Sequence, residues 1–389
     1  MMRYLTAGES HGPCLTGIVE GLPAGMKISS AQINRDLKRR QSGYGRGGRM
    51  KIENDQVEIL SGLRFNLTTG SPLALKIDNR DWANWKDIMA PEGEEPAQLK
   101  RLNSPRPGHA DLAGGLKFAH SDLRLVLERS SARETAMRVA IGSLAKTLLS
   151  HFEVQIYSHV VRIGEEVSQL TPGELINRID MIEQSPLRCG NREAELKMIA
   201  AIDKAKVEGD SLGGIIELVV TGLPPGLGSY VHWDLRLDSR LAAVVLSVQG
   251  MKGVEFGAGF QSAGINGSAL HDQIVYKKGA GVIRTTNNAG GLEGGMTNGE
   301  NLIVRAAMKP IPTLARPLSS VNWDNAEPRE AEVERSDVCA VPAAAVVLES
   351  VLCWELAVAF KQKFAADSMD EMANAYKYYL EKVNTRLKR

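Results

Sequence analysis

The feature that most constrains the fold is a turn that occurs twice. Residues 19–25 read Val-Glu-Gly-Leu-Pro-Ala-Gly, and residues 220–226 read Val-Thr-Gly-Leu-Pro-Pro-Gly. In both places a strand pattern precedes the turn and a helical pattern follows it. We therefore interpret the chain as an internal duplication, with halves at about 1–200 and 201–389 that fold as two similar strand–helix layers.

Apolar periodicity and turn residues predict the neighbouring elements. Strands are predicted at 14–20, 51–60, 73–77, 153–163 and 210–221. Helices are predicted at 192–208, 235–246 and 343–360, with another that begins at Pro172. Two capping boxes are expected to open helices, Ser29 with Gln32 and Ser131 with Glu134. The polar stretch 82–103 is predicted to be a long surface excursion.

Charge and composition narrow the class of function. The chain has 389 residues, with 47 Lys and Arg against 46 Asp and Glu, so its net charge is +1. Nucleic-acid-binding proteins usually carry a clear basic excess. The four cysteines show no CxxC spacing, which argues against a zinc site or a redox pair. Reduced thiols without a recognisable signal peptide predict a cytoplasmic protein, and Pro and Glu interrupt the apolar run 338–360 too often for a membrane span.

Four arginines lie close together on a glycine-rich stretch. Residues 38–49 read KRRQSGYGRGGR and include Arg39, Arg40, Arg46 and Arg49. Arginine binds phosphate and carboxylate groups with a flat, bidentate fork, and glycine lets backbone approach a ligand closely. The stretch therefore predicts a site for a compact polyanion. A solvated basic loop and an RNA-binding loop are the alternatives, and the neutral net charge weighs against RNA.

Residues 8–12, GESHG, match the G-x-S-x-G nucleophile elbow of serine hydrolases. An elbow needs a helix after the serine, whereas a strand pattern follows at 14–20. A hydrolase that acts through Ser10 is thus an alternative with the wrong structural context. His11 remains a candidate proton donor near neutral pH.

Two further segments combine cationic and hydroxyl side chains. Residues 104–111, SPRPGHAD, hold Arg106 and His109 in a turn framed by proline. Residues 129–134, RSSARE, place hydroxyl groups and arginines where a long apolar helix is expected to begin. Helix N-termini bind anions through their unpaired N–H groups, so we predict an anion site here.

The last third of the chain adds a glycine-rich segment, a rigid lysine segment and a carboxylate. Residues 287–298 read NNAGGLEGGMTN, and residues 309–313 read KPIPT. Asp337 is a candidate base or a salt-bridge partner of Arg335. The sequence has no Rossmann or Walker glycine motif. The residues alone therefore predict an enzyme that handles a small polyanion with acid–base help and no metal cluster.

These motifs together resemble those of the chorismate synthase family. The matching segments are GESHG at 8–12, RRQSGYGRGGR at 39–49, RPGHAD at 106–111, RSSARETA at 129–136, the GG segment at 290–295, KPIPT at 309–313 and RSD at 335–337. They keep the family's order, so the resemblance treats the chain as a single domain, 1–389. It implies an α+β fold, a β-α-β sandwich in which helices lie between two mainly antiparallel sheet layers.

The resemblance also implies the reaction and its partners. The family converts 5-enolpyruvylshikimate 3-phosphate to chorismate and phosphate by an anti-1,4-elimination, the last step of the shikimate pathway. Reduced FMN is required without net redox change, because the flavin lends an electron transiently. Some members reduce their own FMN with NADPH and others depend on a separate flavin reductase, and both remain open for this chain. The expected assembly is a homotetramer, without nucleic acid or membrane partners.

Each expected site residue follows from its position in a matching motif. His11 would protonate the departing phosphate, His109 would protonate the reduced ring system, and Asp337 would assist proton removal at flavin N5. The expected substrate-binding residues are Ser10, Arg40, Arg46, Arg49, Arg106 and Arg133. The expected FMN-binding residues are Arg129, Ser130, Ser131, Gln249, Gly250, Gly295, Lys309, Pro310, Ile311, Pro312, Thr313 and Arg335.

Overall fold

The computed structural model describes residues 2–47, 54–94, 100–334 and 336–387. Its helices are α1 Ser30–Gln41, α2 Asp111–Phe118, α3 Arg124–Ser130, α4 Thr135–Ser150, α5 Pro172–Asn177, α6 Ile179–Gln184, α7 Arg192–Glu208, α8 Leu237–Leu246, α9 Gly267–Leu270, α10 Val341–Lys363 and α11 Met369–Leu387. Its longer strands are β1 Arg3–Ala7, β2 Cys14–Glu20, β3 Val57–Ile59, β6 Leu73–Asp78, β7 Gln155–Ile163, β9 Gly214–Thr221, β10 Met251–Phe256 and β15 Leu302–Met308. The short strands are β4 Leu63–Arg64, β5 Leu67–Thr68, β8 Glu166–Val167, β11 Ile274–Lys277, β12 Gly281–Arg284, β13 Leu292–Glu293, β14 Met296–Thr297, β16 Ser319–Val321 and β17 Pro328–Glu330.

Two antiparallel sheets form the outer layers. The first has the strand order β1-β2-β6-β3, and the second has the order β10-β15-β9-β7-β8. Every strand pair in the two sheets is antiparallel among the residues that the structure describes. The alternation of buried and exposed residues along β2 and β6 shows that one face of the first sheet packs on the core.

Helices α4 and α10 pack against each other between the sheets. α4 contacts β1, β2 and β6 of the first sheet, and α10 contacts β7 and β9 of the second. α10 is apolar on all sides and long enough to span a membrane, but 94% of its apolar window is buried inside the protein. It is therefore a core helix. The predicted α+β sandwich, with helices between antiparallel layers, is confirmed.

The two repeated turns make the same contacts. The Oγ1 hydroxyl of Thr68 donates a hydrogen bond to the carbonyl of Pro23 at 2.6 Å. In the other half, Oγ1 of Thr297 donates to the carbonyl of Pro224 at 2.7 Å. Each threonine ends a short hairpin, β4–β5 or β13–β14, and each hairpin leads into the strand that pairs with the one before the turn.

The registers of these strand pairs also match. Val19 lies opposite Leu73 in the first sheet, and Val220 lies opposite Leu302 in the second. These matched contacts support the predicted duplication, which stays a prediction until the halves are superposed. We expect the second repeat to begin at β7, the counterpart of β1, near residue 155 rather than at 201.

Several local predictions need correction. Ser29 makes no side-chain cap, and the side chain of Gln32 donates from Nε2 to Thr147 at 2.9 Å rather than to the Ser29 backbone. Ser131 caps the N–H of Arg133, whereas Glu134 accepts a hydrogen bond from Gln249. Both predicted capping boxes are therefore wrong. The helix that begins at Pro172 is confirmed. Of the strand predicted at 51–60, the structure shows Val57–Ile59, and residues 51–53 lie outside the described ranges.

Candidate active site

The GESHG segment forms the turn between β1 and β2, and it positions His11 against α3. Nδ1 of His11 lies 2.7 Å from Oε1 of Glu128, and the His11 N–H donates to Oε2 at 2.7 Å. Burial would raise the pKa of Glu128, but the hydrogen bond and charge of His11, helped by Arg124, hold it below its ordinary value. The carboxylate thus fixes both the backbone and the ring of the histidine.

The turn does not have the geometry of a nucleophile elbow. Ser10 lies between two strands rather than between a strand and a helix, and the Nδ1 atom of His11 contacts Glu128. The serine hydrolase alternative therefore lacks its strand–turn–helix context.

The stretch after β6 supports the same turn. The buried side-chain amide of Asn79 donates to the carbonyls of Gly12 at 2.8 Å and Ser10 at 3.3 Å. The indole of Trp85 stacks on the His11 ring, with ring centroids 3.9 Å apart and planes inclined by 28°. Part of the predicted surface excursion therefore lines the site.

His109 lies in the loop before α2 and is paired in a similar way. Its Nδ1 lies 2.5 Å from Oδ1 of Asp111. Arg106 donates from Nε to Oδ2 of the same carboxylate at 2.8 Å. Burial would raise the pKa of Asp111, but the hydrogen bonds from His109 and Arg106 keep it well below its ordinary range. Asp111 is thus a charged anchor for both residues.

The segment 309–313 joins this loop to the rest of the site. Lys309 donates from Nζ to the carbonyl of Gly108, and Arg106 donates from Nη1 to Oγ1 of Thr313 at 2.9 Å. The carbonyl of Thr313 accepts a hydrogen bond from Oγ of Ser336 at 2.9 Å. Burial and the charge of Lys252 lower the pKa of Lys309. Pro310, Ile311 and Pro312 complete this rigid segment.

Two of the predicted arginine ligands form a buried pair around one carboxylate. Arg133 donates to Oδ2 of Asp55 at 2.8 Å, and Nη1 of Arg40 lies 3.8 Å from the same atom. Arg40 also donates to Oγ1 of Thr135 at 3.0 Å and to the carbonyl of Ala132 at 2.9 Å. Because these contacts follow α3 directly, the α3–α4 junction holds both the His11 pocket and this arginine pair.

Arg46 pairs with Asp337. Its Nη1 lies 3.0 Å from Oδ2, and the Gly47 N–H donates to Oδ1 at 2.6 Å. The alternative partner of Asp337, Arg335, lies outside the described residues, as does Arg49. A predicted base and a predicted substrate ligand are therefore in direct contact.

Arg39 does not belong to this cluster. It donates to Glu183 at 2.9 Å and to Glu349 of α10 at 2.8 Å. Arg40 is also buried, at 5% exposure. The described arginines of this stretch, Arg39, Arg40 and Arg46, are thus folded into the protein rather than displayed as a basic surface, which argues against the RNA-binding alternative.

The other predicted cofactor residues fall in three places. Arg129 donates to the carbonyls of Thr6 and Gly8 at 3.0 Å. Ser130 ends α3, and Ser131 begins the next turn. The structure thus places all three beside the GESHG turn.

Gln249 and Gly250 follow α8 and contact the α3–α4 junction and the segment 309–313. Gln249 donates from Nε2 to Glu134 at 2.9 Å, and the carbonyl of Gly250 accepts from the Lys309 N–H at 2.9 Å. Gly295 lies at the opposite end of α8, where its carbonyl accepts from the N–H of Leu237 at 2.8 Å. A ten-residue helix spans roughly 15 Å, so the fold does not bring Gly295 to Gln249.

Outside this site, the described residues offer a large groove and no metal centre. No group of His, Cys, Asp and Glu side chains suited to a metal ion occurs among the described residues. A groove of about 1260 Å³ lies between α11 and the β11–β12 and β13–β14 hairpins, and none of the predicted site residues lines it.

Sequence reasoning missed the groups that orient the site. They are Asp55, Asn79, Trp85, Asp111, Glu128 and Thr135. Asp111 lies two residues after His109 within a quoted motif, and this short spacing was a usable signal. The others are distant in sequence from the groups that they hold.

Comparisons with known proteins agree on one family. The family model described as chorismate synthase matches residues 2–360. The chorismate synthase of Brevibacillus brevis is 53% identical over 386 residues, covering 98% of this chain and 100% of that protein. The chorismate synthase of Bacillus subtilis is 54% identical over 376 residues, covering 95% and 96%. A crystal structure of chorismate synthase superposes with a TM-score of 0.80 at 40% identity, covering 99% of this chain and 98% of that one.

The fold and site thus define an α+β enzyme in which each of two histidines is paired with a buried carboxylate. The chain belongs to the chorismate synthase family.

Proposed function

We propose that this protein is a lyase that converts 5-enolpyruvylshikimate 3-phosphate to chorismate and phosphate by an anti-1,4-elimination that needs reduced FMN. The observation that carries the proposal is the pairing of each histidine with a buried carboxylate, His11 with Glu128 and His109 with Asp111. Arg106 donates to Asp111, and the other arginines of the proposed site are Arg40, Arg46, Arg129 and Arg133. The substrate carries one phosphate and two carboxylates, which these cations would bind.

Proton transfer to the leaving group would come from His11. Glu128 engages Nδ1, so the proton would pass from Nε2 to an oxygen of the departing phosphate as the allylic C–O bond breaks. The N–H groups and cations nearby would stabilise the negative charge that develops on that oxygen. Loss of the C6 hydrogen as a proton, which Asp337 would accept, then completes the diene.

Arg40, Arg133 and Arg46 would bind the anionic groups of the substrate. The first two are oriented by Asp55 and Thr135, and the third by Asp337. Fixed cations of this kind need no reorganisation when charge develops in the transition state. Ser10, Arg49 and Arg106 complete the proposed substrate-binding set.

The residues after α8 fit a flavin. Oε1 of Gln249 is a buried acceptor without a hydrogen-bond partner among the described residues, and a flavin offers a ring N–H donor. Cations such as Lys309 and Arg129 would hold the phosphate of FMN. Reduced FMN, when bound, supplies an electron that is lent to the substrate and then recovered. His109 would hold a proton at Nε2 toward the ring system, and Asp337 would accept one near flavin N5.

The proposed enzyme would be a cytoplasmic homotetramer. Its FMN would be reduced either with NADPH by the enzyme itself or by a separate flavin reductase. The named relatives are called chorismate synthases, and these statements extend the family's properties to this chain.

An anaerobic assay tests the main proposal. The protein is mixed with 5-enolpyruvylshikimate 3-phosphate and chemically reduced FMN, and both phosphate and chorismate are measured. Equal amounts of the two products are expected. Neither product should form in a control that contains oxidised FMN and no reductant. Absence of both products with reduced FMN would show the proposal to be wrong.

A further inference from the structure

Trp85 has a contact that the proposed chemistry does not yet explain. Its indole lies against the His11 imidazole, with centroids 3.9 Å apart and planes at 28°. Such a near-parallel stack restricts tilting of the smaller ring, because it fills the space on one face. Glu128 binds Nδ1 and the backbone N–H of His11. The hydrogen bond at Nδ1 does not by itself stop the imidazole from turning about the Nδ1–Oε1 direction, so other contacts must restrict that rotation.

The indole is itself held firmly. Its Nε1–H donates to Oδ2 of Asp81 at 3.0 Å. The Asp81 N–H donates to Oδ1 of Asn79 at 3.1 Å, and the Asn79 amide bonds the carbonyls on both sides of His11. A single short segment therefore fixes the histidine's backbone through Asn79 and its ring through Trp85.

Two cations also lie against the indole. Nζ of Lys100 is 4.6 Å from its ring centroid, and the guanidinium carbon of Arg124 is 5.1 Å away. Cation–π contacts favour this placement. Arg124 is further bound to Glu334 at 3.0 Å, so the indole is supported by groups from three separate parts of the chain.

We propose that Trp85 is a positioning residue for His11. The Trp85 indole keeps the imidazole plane of His11 aligned for proton transfer and covers one face of that ring. The proposal rests on the proposed role of His11 as the acid. It predicts that loss of the indole frees the ring and exposes it, while substrate and cofactor contacts made by other residues remain.

Three variants and one control separate this role from a general effect on folding. Trp85→Phe keeps an aromatic face, Trp85→Ala removes it, and Asp81→Asn weakens the tether to the indole. Trp82→Phe is the matched control, since Trp82 lies on the same segment and makes no ring contact with a histidine among the described residues.

The first measurement does not depend on turnover. The full-length protein is treated with diethylpyrocarbonate, and carbethoxylation of each histidine is followed by peptide mass spectrometry. We expect His11 to react several-fold faster in Trp85→Ala, less so in Asp81→Asn, and as in the parent protein in Trp85→Phe and Trp82→Phe. His109 serves as the internal reference and should not change.

The second measurement is steady-state kinetics with reduced FMN. Loss of one aromatic stack corresponds to a fall in kcat on the order of ten-fold, with little change in KM, and Trp85→Phe should recover most of it. An unchanged His11 reaction rate and unchanged kcat in Trp85→Ala would overturn the proposal. If the parent protein itself shows no turnover, the proposed function fails, whereas the reactivity of His11 still tests the role of Trp85.

Discussion

Glu128 accepts two hydrogen bonds from one residue, His11, at 2.7 Å each, one from the ring and one from the backbone. A carboxylate that binds both groups sets the ring's orientation relative to the chain. Asp111 likewise lies 2.5 Å from the ring of His109. In each case the orienting carboxylate is almost fully buried, so water cannot replace it.

We therefore expect Glu128→Gln to lower kcat by on the order of 10–10²-fold, because the amide holds the ring less well and can present a donor instead of an acceptor. Initial rates of chorismate formation measure the effect. Glu193→Gln, an exposed carboxylate paired with Lys197 on α7, is the matched control. Equal rates in the two variants would exclude an orienting role for Glu128.

His109→Ala and Asp337→Asn should bind substrate and FMN but turn over slowly. Removal of a general acid or base lowers rates by typically 10²–10⁴-fold, and the Asn side chain still accepts from Gly47. Binding is measured calorimetrically with each ligand, and turnover by phosphate release. If both variants lose binding instead, the two residues are structural.

Gln249→Leu should weaken FMN binding. The change removes the unpaired buried acceptor Oε1, and one hydrogen bond contributes about 0.5–1.5 kcal/mol, so we expect Kd for oxidised FMN to rise by up to roughly ten-fold. Quenching of flavin fluorescence on titration gives Kd. Gln184→Leu, at the exposed end of α6, should leave Kd unchanged, and an equal Kd in Gln249→Leu would place the flavin elsewhere.

Glu349→Gln should strongly destabilise the fold. Glu349 lies in the middle of α10 and is buried. Its carboxylate is surrounded by Arg39, Lys146 and Arg188. Burial would raise the pKa of Glu349, but these cations keep it well below its ordinary range. Removing one partner of a buried ion pair costs about 3–5 kcal/mol. Urea unfolding of Glu349→Gln and the parent protein measures this loss in the free energy of unfolding.

A carboxylate on the same helix provides the comparison. Glu355 pairs with one cation, Arg240, at 2.6 Å, and its side chain is 13% exposed against 2% for Glu349, so Glu355→Gln should cost less than Glu349→Gln. Similar losses in the two variants would mean that the buried cluster contributes no more than this single pair.

Stability should fall at acidic pH for the same reason. Burial would raise the pKa of Glu183, but hydrogen bonds from Arg39 and Arg188 lower it from 4.5 to about 2. A carboxyl group whose pKa is lower in the folded chain than in the unfolded chain stabilises the fold at any pH above the unfolded-state pKa. That contribution is lost as the pH falls toward the folded-state pKa. The melting temperature should therefore drop between about pH 4.5 and pH 2. A flat profile over that range would contradict the assignment.

The sequence was most informative where neighbouring residues carry the signal. The helix at Pro172, the strand 14–20 and the long apolar α10 follow from local pattern, and these are confirmed. The capping boxes were wrong because Gln32 and Glu134 find partners elsewhere in the chain, Thr147 of α4 and Gln249 of the turn after α8. Tertiary contacts thus overrode a local preference.

The site was predictable only in part, for a related reason. His11 and His109 stand in recognisable motifs, whereas Glu128 is 117 residues from His11 and lies in an ordinary helix pattern. Trp85 lies in a polar stretch without helical or strand periodicity, so nothing in its surroundings indicated a contact with the site. Spacing along the chain cannot reveal a partner that only the fold brings near.

The contact between Gly47 and Asp337 joins residues 290 positions apart. During synthesis, at about 5–20 residues per second, the arginine stretch leaves the ribosome well before its carboxylate partner has been made. The protein should therefore stay without activity until nearly the whole chain has emerged. Premature termination after β15 would yield a product that contains both histidines yet cannot assemble the site, and such truncated chains should be targets for proteases rather than slow enzymes.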